Sequence, residues 1–121
     1  MAGFEELRVY QAAEEISDMI SEIVARWRQI EMDTVGKQIV RSADSIGANI
    51  AEGTGRGSYQ DNRRFVKIAR GSLYETRHWL RRAYARKLLT PDDIDRLKPL
   101  IDRLAPQLNA YLKSIGPTND Q

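Results

Sequence analysis

Arg63, Lys67, Arg70, Tyr74, Arg77 and Arg81 follow one another at spacings of four, three, four, three and four. On a helix of about 3.6 residues per turn, that rhythm lines all six along one broad stripe. Guanidinium groups present forked donors that match phosphate oxygens, and a tyrosine ring offers a face on which an unpaired base stacks. Arg64, Arg82, Arg86 and Lys87 extend the positive charge along the flank and toward the C-terminal end of the same segment. Residues 58–87 carry nine basic side chains against two acidic ones, a net +7 in a chain whose total is only +2. Residues 1–33 run the other way at −5, with Glu5, Glu6, Glu14, Glu15, Asp18 and Glu22 among their acids. Three readings fit the stripe: contact with nucleic acid, a solvated helix face, and contact with the acidic first segment of another subunit. Nucleic acid leads, because the phased arginines gather phosphate recognition on one face, roughly opposite the Phe65–Ala69–Ser72–Thr76 face.

A second set of polar residues lies earlier in the chain. Gln38, Arg41, Ser45, Asn49 and Glu52 recur on one side of a helical segment, offset from its apolar seam. Buried polar groups need hydrogen-bond partners, so such a line suits a place where helices or subunits meet. Glu75, off the seam of the following segment, is placed to pair with Arg41, and Gly71 removes a side chain where another helix can approach. Structural glue is the preferred reading, with a ligand site as the lesser one.

Catalytic chemistry has little to work with. The chain has no cysteine, which excludes disulfides, thiolate metal sites and thiol catalysis, and His78 is its only histidine. Glu75-Thr76-Arg77-His78 has the spacing of a di-iron Glu-x-x-His pair, but no second histidine completes the set. Gly53-Thr54-Gly55-Arg56-Gly57 is not a P-loop, since no lysine followed by Ser or Thr closes it and no strand precedes it. A turn between two helices is the better reading, although Arg56 and the amides near Ser58 can hold an anion as any helix N-terminus does. Asp92-Asp93 reads as helix capping. A non-enzymatic protein without metal or cofactor is the expectation.

The elements that must position these residues are all helical. Val9, Ala13, Ile16, Ile20, Ile23 and Trp27 alternate at four and three, and a second seam of three- and four-residue steps runs Val35, Ile39, Ser42 or Ala43, Ile46, Ile50 and Gly53. The third seam runs Phe65, Ala69, Ser72, Thr76, Trp79 and Ala83, widened by Leu73 and Leu80, and the fourth runs from Ile94 through Leu97, Ile101, Leu104, Leu108 and Leu112 to Ile115. Gln29–Asp33 lacks pattern and separates the first two; Gly53–Gly57 breaks the second from the third, with Ser58 as N-cap. Thr90-Pro91-Asp92-Asp93 combines an N-cap, a proline in the first turn and acids at the positive end of the dipole. The helices therefore fall at about 4–29, 33–53, 58–87 and 91–115 in a single domain. Short connections imply an all-α, up-down-up-down antiparallel four-helix bundle. Pro99 and Pro106 argue for a fourth helix bent at one of them, with a split into two shorter helices as the competing reading. The tail Gly116–Gln121 stops the last helix and frays. No apolar run approaches the roughly 18 residues of a membrane span, and Met1–Glu6 shows no secretory pattern, so a cytoplasmic protein is expected.

Gln38-Ile39-Val40-Arg41-Ser42-Ala43-Asp44-Ser45-Ile46-Gly47-Ala48-Asn49-Ile50-Ala51-Glu52-Gly53 closely resembles the signature of four-helix-bundle proteins first noticed as reading frames in intervening sequences of bacterial 23S ribosomal RNA genes. Gly55-Arg56-Gly57-Ser58, Arg64-Phe65, Ile68-Ala69, Gly71-Ser72-Leu73 and Glu75 continue the match, and Phe4, Leu7 and Tyr10-Gln11-Ala12-Ala13 resemble the family's opening helix. The fourth segment matches in pattern only. The resemblance implies a small all-α protein that associates into a ring-like homopentamer. It also implies kinship with accessory proteins of diversity-generating retroelements, basic pentamers that bind nucleic acid and a reverse transcriptase. The combined expectation is a homo-oligomer that binds RNA or DNA through the stripe. The alternative is a scaffold whose partner is another protein, with the stripe serving subunit contacts or solubility.

Overall fold

Apolar residues at alternating three- and four-residue spacing leave the chain one economical solution, helices that bury their seams against each other. In the computed structural model, which describes residues 3–117, α1 spans Arg8–Val24, α2 Lys37–Thr54, α3 Tyr59–Ala85 and α4 Pro91–Ser114. They form a four-helix bundle in which α1 and α3 each pack on α2 and α4, leaving α1 and α3 diagonal. Ile16 and Ile20 of α1, Ile39, Ile46 and Ile50 of α2, Leu73 of α3, and Leu104 and Leu108 of α4 are fully buried at the centre. Each such side chain contributes about 1.5–3 kcal/mol of transfer free energy. No helix among the described residues is long and apolar enough to cross a membrane.

The first helix departs from its expected span of 4–29. Phe4–Glu6 forms a 3-10 turn, Leu7 is extended, and α1 ends at Val24. Beyond that point Trp27 leaves the helical seam, and its Nε1–H donates to the Leu88 carbonyl at 3.0 Å. A half-buried indole N–H needs an acceptor, and a straight helix would not reach one. Gln29–Asp33, expected as a patternless separator, is helical: Gln29–Glu31 makes an α turn, and Met32–Gly36 a π turn that runs into α2. A π turn holds more residues than an α turn, so the three–four rhythm slips there and a periodicity reading misses the helix.

Local chemistry sets the other boundaries. Ser58 Oγ accepts the Asp61 N–H at 3.1 Å and starts α3. Lys87, in the left-handed region at φ 60°, ends it in a Schellman motif: its N–H reaches the Tyr84 carbonyl and that of Leu88 reaches the Ala83 carbonyl, both at 3.0 Å. Between α2 and α3, Gly57 takes φ +88°, and Gly53 is buried where a Cβ would lie 2.5 Å from Asn62 Oδ1 and 3.1 Å from Phe65 Cβ.

α4 opens on a full capping box. Thr90 Oγ1 accepts the Asp93 N–H, and Asp93 Oδ2 accepts the Thr90 N–H, both at 3.0 Å. Asp93 is only 2% exposed, and its other oxygen accepts from Arg26, just beyond α1. Burial by itself pushes the Asp93 carboxyl up. The Thr90 amide, the Arg26 guanidinium and the Thr90 hydroxyl outweigh it and hold the group below the usual carboxylate range. α4 then runs unbroken through Pro99 and Pro106, which excludes the split into two shorter helices. Both prolines are exposed, so the carbonyl that each leaves without an amide partner is on the solvent side. Gly116 follows the helix end at φ +145°; the fraying expected of the tail falls mainly on residues 118–121, outside the described residues.

Candidate nucleic-acid interface

α3 buries Val66, Ala69, Leu73, Thr76 and Ala83. Its inner seam is thus turned from the expected Phe65–Ala69–Ser72–Thr76 line, because Val66 and Leu73 are completely enclosed while Phe65, Ser72 and Trp79 stay half-buried on the α2 side. The basic stripe turns with it. Rather than lying opposite the core, it occupies the flank of α3 beside α4. Arg63 Nη1–H donates to the Ile115 carbonyl at 2.7 Å, and Arg70 Nη1–H to Asn109 Oδ1 at 2.8 Å. Arg77 and Arg81 border a cleft whose far wall is Ile94, Leu97 and Ile101.

The six stripe residues therefore separate into two kinds. Arg63 and Arg70 are half-buried, and their donors are engaged in fastening α3 to the C-terminal half of α4. Lys67, Tyr74, Arg77 and Arg81 are exposed, and the Arg77 guanidinium lies 5.6 Å from the centre of the Tyr74 ring. Arg82, Arg86 and Lys87 are exposed at the same end of the helix. None of these six cations pairs with a carboxylate among the described residues, whereas Arg64 is drawn back to Asp61 at 3.6 Å and over the Phe65 ring. A set of exposed, unneutralised charges on one side of a small bundle raises a positive field there. The acids of α1 do not cancel it, because α1 and α3 are diagonal.

The polar flank of α2 resolves into a ladder toward α3. Arg41 donates to Gln38 Oε1 at 3.2 Å and ion-pairs with Glu75, whose Oε2 also accepts the Trp79 Nε1–H at 3.1 Å. One level on, the Thr76 hydroxyl donates to Ser42 Oγ at 3.0 Å; both residues are fully buried. At the next, Ser72 Oγ donates to Ser45 Oγ at 3.2 Å, and Asn49 Nδ2 donates to the same oxygen and to the Ser45 carbonyl. Glu52 stands outside the ladder, 3.7 Å from Arg56. By spacing alone Ser42 and Thr76 fall on the apolar seams; only the pairing across helices marks them as polar partners.

Arg56 sits between Glu52 and Asp61, at 3.7 and 3.9 Å, in the turn that joins α2 to α3. His78 is exposed and edge-on to Trp79. Among the described residues, a Cβ on Gly71 would meet nothing of another helix within 4 Å, so no other helix approaches there. Two features lie beyond a reading of the sequence. One is the Arg26–Asp93 link, hidden by separation along the chain. The other is the cleft between α3 and α4, hinted at only by Leu89 and Ile94 at the edge of the fourth seam.

The family model described as 23S rRNA-intervening sequence protein matches residues 5–110 of this chain. A comparison with curated proteins finds no match. Among solved structures, the chain is similar to the crystal structure of a protein with unknown function from the S23 ribosomal protein family of Bacteroides thetaiotaomicron. The two share 23% identity at a TM-score of 0.75, over 88% of this chain and 99% of the other. At that identity the likeness speaks for the fold alone.

Proposed function

This chain belongs to the family of 23S rRNA-intervening sequence proteins, and from that premise we propose that it is a non-enzymatic homo-oligomeric bundle that binds nucleic acid through the exposed part of the α3 stripe. The observation that carries the reading is the set Lys67, Arg77, Arg81, Arg82, Arg86 and Lys87, six exposed cations on one helix and its end without carboxylate partners among the described residues. Tyr74, 52% exposed beside Arg77, supplies the stacking surface for an unpaired base. The ribosomal RNA in the family's description makes RNA the first probe, with DNA as the comparison.

Assembly belongs to the same proposal. The ring-like homopentamer implied by the resemblance would repeat the cationic face around the particle, and neighbouring faces would share one nucleic-acid chain. Gly71 and the 43%-exposed Ile68 support a place where a second copy comes close.

The test is titration of labelled single- and double-stranded RNA at two salt concentrations. Arg63 and Arg70 are poor choices for substitution, since losing their bonds to α4 would confound stability with binding. Lys67→Glu, Arg77→Glu and Arg81→Glu, combined, leave those bonds in place. Wild-type affinity should fall steeply with salt, and the log–log slope should flatten by about 0.7–0.9 for every phosphate that a substitution leaves unneutralised. Binding that ignores salt, or a triple variant that binds as well as wild type, overturns the reading.

A further inference from the structure

The cleft between α3 and α4 has a chemistry of its own. Arg63 and Arg70 tie the two helices at one end, and the loop through Leu88 and Leu89 joins them at the other. Near the loop the helices leave an open groove of about 450 Å³, floored by Leu80, Ile94, Leu97 and Ile101. Tyr84, 64% exposed, forms one lip. Arg77 and Arg81 rise from α3, and Lys98 from α4. The one acid on the rim, Asp102, is already held by Lys98 at 2.6 Å.

An aliphatic floor offers no donor or acceptor to a base edge, so it does not suit a nucleobase. It suits apolar side chains, and at that volume it takes two or three of leucine size. Tyrosine and arginine around a desolvated centre are the residue types that dominate protein-binding hot spots. The excess of positive charge on the rim selects what flanks those anchors. The stretches that line the groove, Arg77–Tyr84 and Ile94–Ile101, are each about two helical turns long, which matches anchors at i, i+3, i+4 and i+7 of one incoming helix.

We infer that the α3–α4 groove is a docking site for an acidic amphipathic helix of a partner protein, its apolar residues on the Leu80–Ile101 floor and its carboxylates on Arg77 and Arg81. This goes beyond the nucleic-acid reading and does not depend on it. Because Arg77 and Arg81 serve both surfaces, the two partners compete where both bind.

The experiment uses the full chain and a labelled helical peptide of about 18 residues, five turns, with leucine at the i, i+3, i+4, i+7 positions and glutamate elsewhere. Fluorescence anisotropy follows its binding. The control is a peptide of the same composition with the leucines scattered round the helix. The patterned peptide should bind, and the scattered one about tenfold or more weaker. Arg81→Glu and the double change Tyr84→Ala with Ile94→Ala should each weaken the patterned peptide by a similar factor, with Arg81→Lys close to wild type. Circular dichroism confirms that each variant is folded, and the exposure of Arg81 and Tyr84 makes folding the expected result. Equal binding of the two peptides means charge alone and overturns the proposal. Unchanged affinity in the Tyr84/Ile94 variant overturns it as well. RNA binding without peptide binding overturns it while leaving the nucleic-acid reading intact.

Discussion

At Asp93 one carboxylate does two jobs: it closes the capping box of α4 by accepting the Thr90 amide, and it ties that helix end to Arg26 beyond α1. Its pKa lies below the unfolded value of about 3.9 for an aspartate. Linkage then fixes the sign: the stabilisation is fully present above the unfolded value and is lost as the pH falls through the lower folded one. Asp93→Ala should cost about 1–3 kcal/mol near neutral pH, tempered by the solvent around Arg26. The gap between wild type and variant should narrow as the pH drops below about 4. Thermal melts of both proteins from about pH 7 to about pH 3 check it, and a constant gap would refute it. The residue types at Thr90–Asp93 make the cap legible from sequence. Arg26 is not legible, because nothing in the chain's linear order places residue 26 beside residue 93.

Among the elements, α4 carries the plainest conflict between local preference and tertiary demand. An interior proline costs a helix about 3 kcal/mol relative to alanine, yet α4 continues through two. The buried row Leu97, Ile101, Leu104 and Leu108 holds it in place, and the prolines face water. Pro106→Ala should therefore raise the unfolding free energy, by about 1–3 kcal/mol after the gain in unfolded-state entropy is set against it. A melting temperature equal to or below that of wild type would show that α4 has adapted fully to the proline ring. The α2–α3 contact makes the opposite prediction. Gly53→Ala forces a methyl against Asn62 and Phe65, so calorimetry should show destabilisation of about 1–3 kcal/mol. In the sequence this glycine reads as a helix breaker; its closer role, admitting α3, needs the partner helix in view.

For the whole molecule, charge separation is the organising property. α1 is acidic, α3 is basic, and the bundle sets them diagonally, so neither neutralises the other within one chain. The ring proposed above would use that separation, the acidic side of one copy meeting the basic side of the next. If Gly71 lies where two copies meet, Gly71→Trp should break the assembly toward the 13.8 kDa monomer while leaving helicity unchanged, since among the described residues no other part of the chain comes within 4 Å of that Cβ. Light scattering with circular dichroism reads both quantities. An oligomer that survives the change moves the contact elsewhere, and a wild type at monomer mass removes the ring.

The helical class, the seams of α1, α2 and α4, the caps at Ser58 and Thr90 and the basic phase of residues 63–81 were determined by the sequence alone, because each depends on neighbours within one or two turns. Tertiary structure decided which side of α3 faces inward, and so divided the stripe into arginines that fasten α4 and arginines left to solvent. It also decided the break at Trp27, the Ser42–Thr76 pair and the groove above Ile101. Each of these depends on the rotation and spacing of one helix against another. Such quantities come from packing of side chains far apart in the chain, and periodicity along a single helix does not contain them.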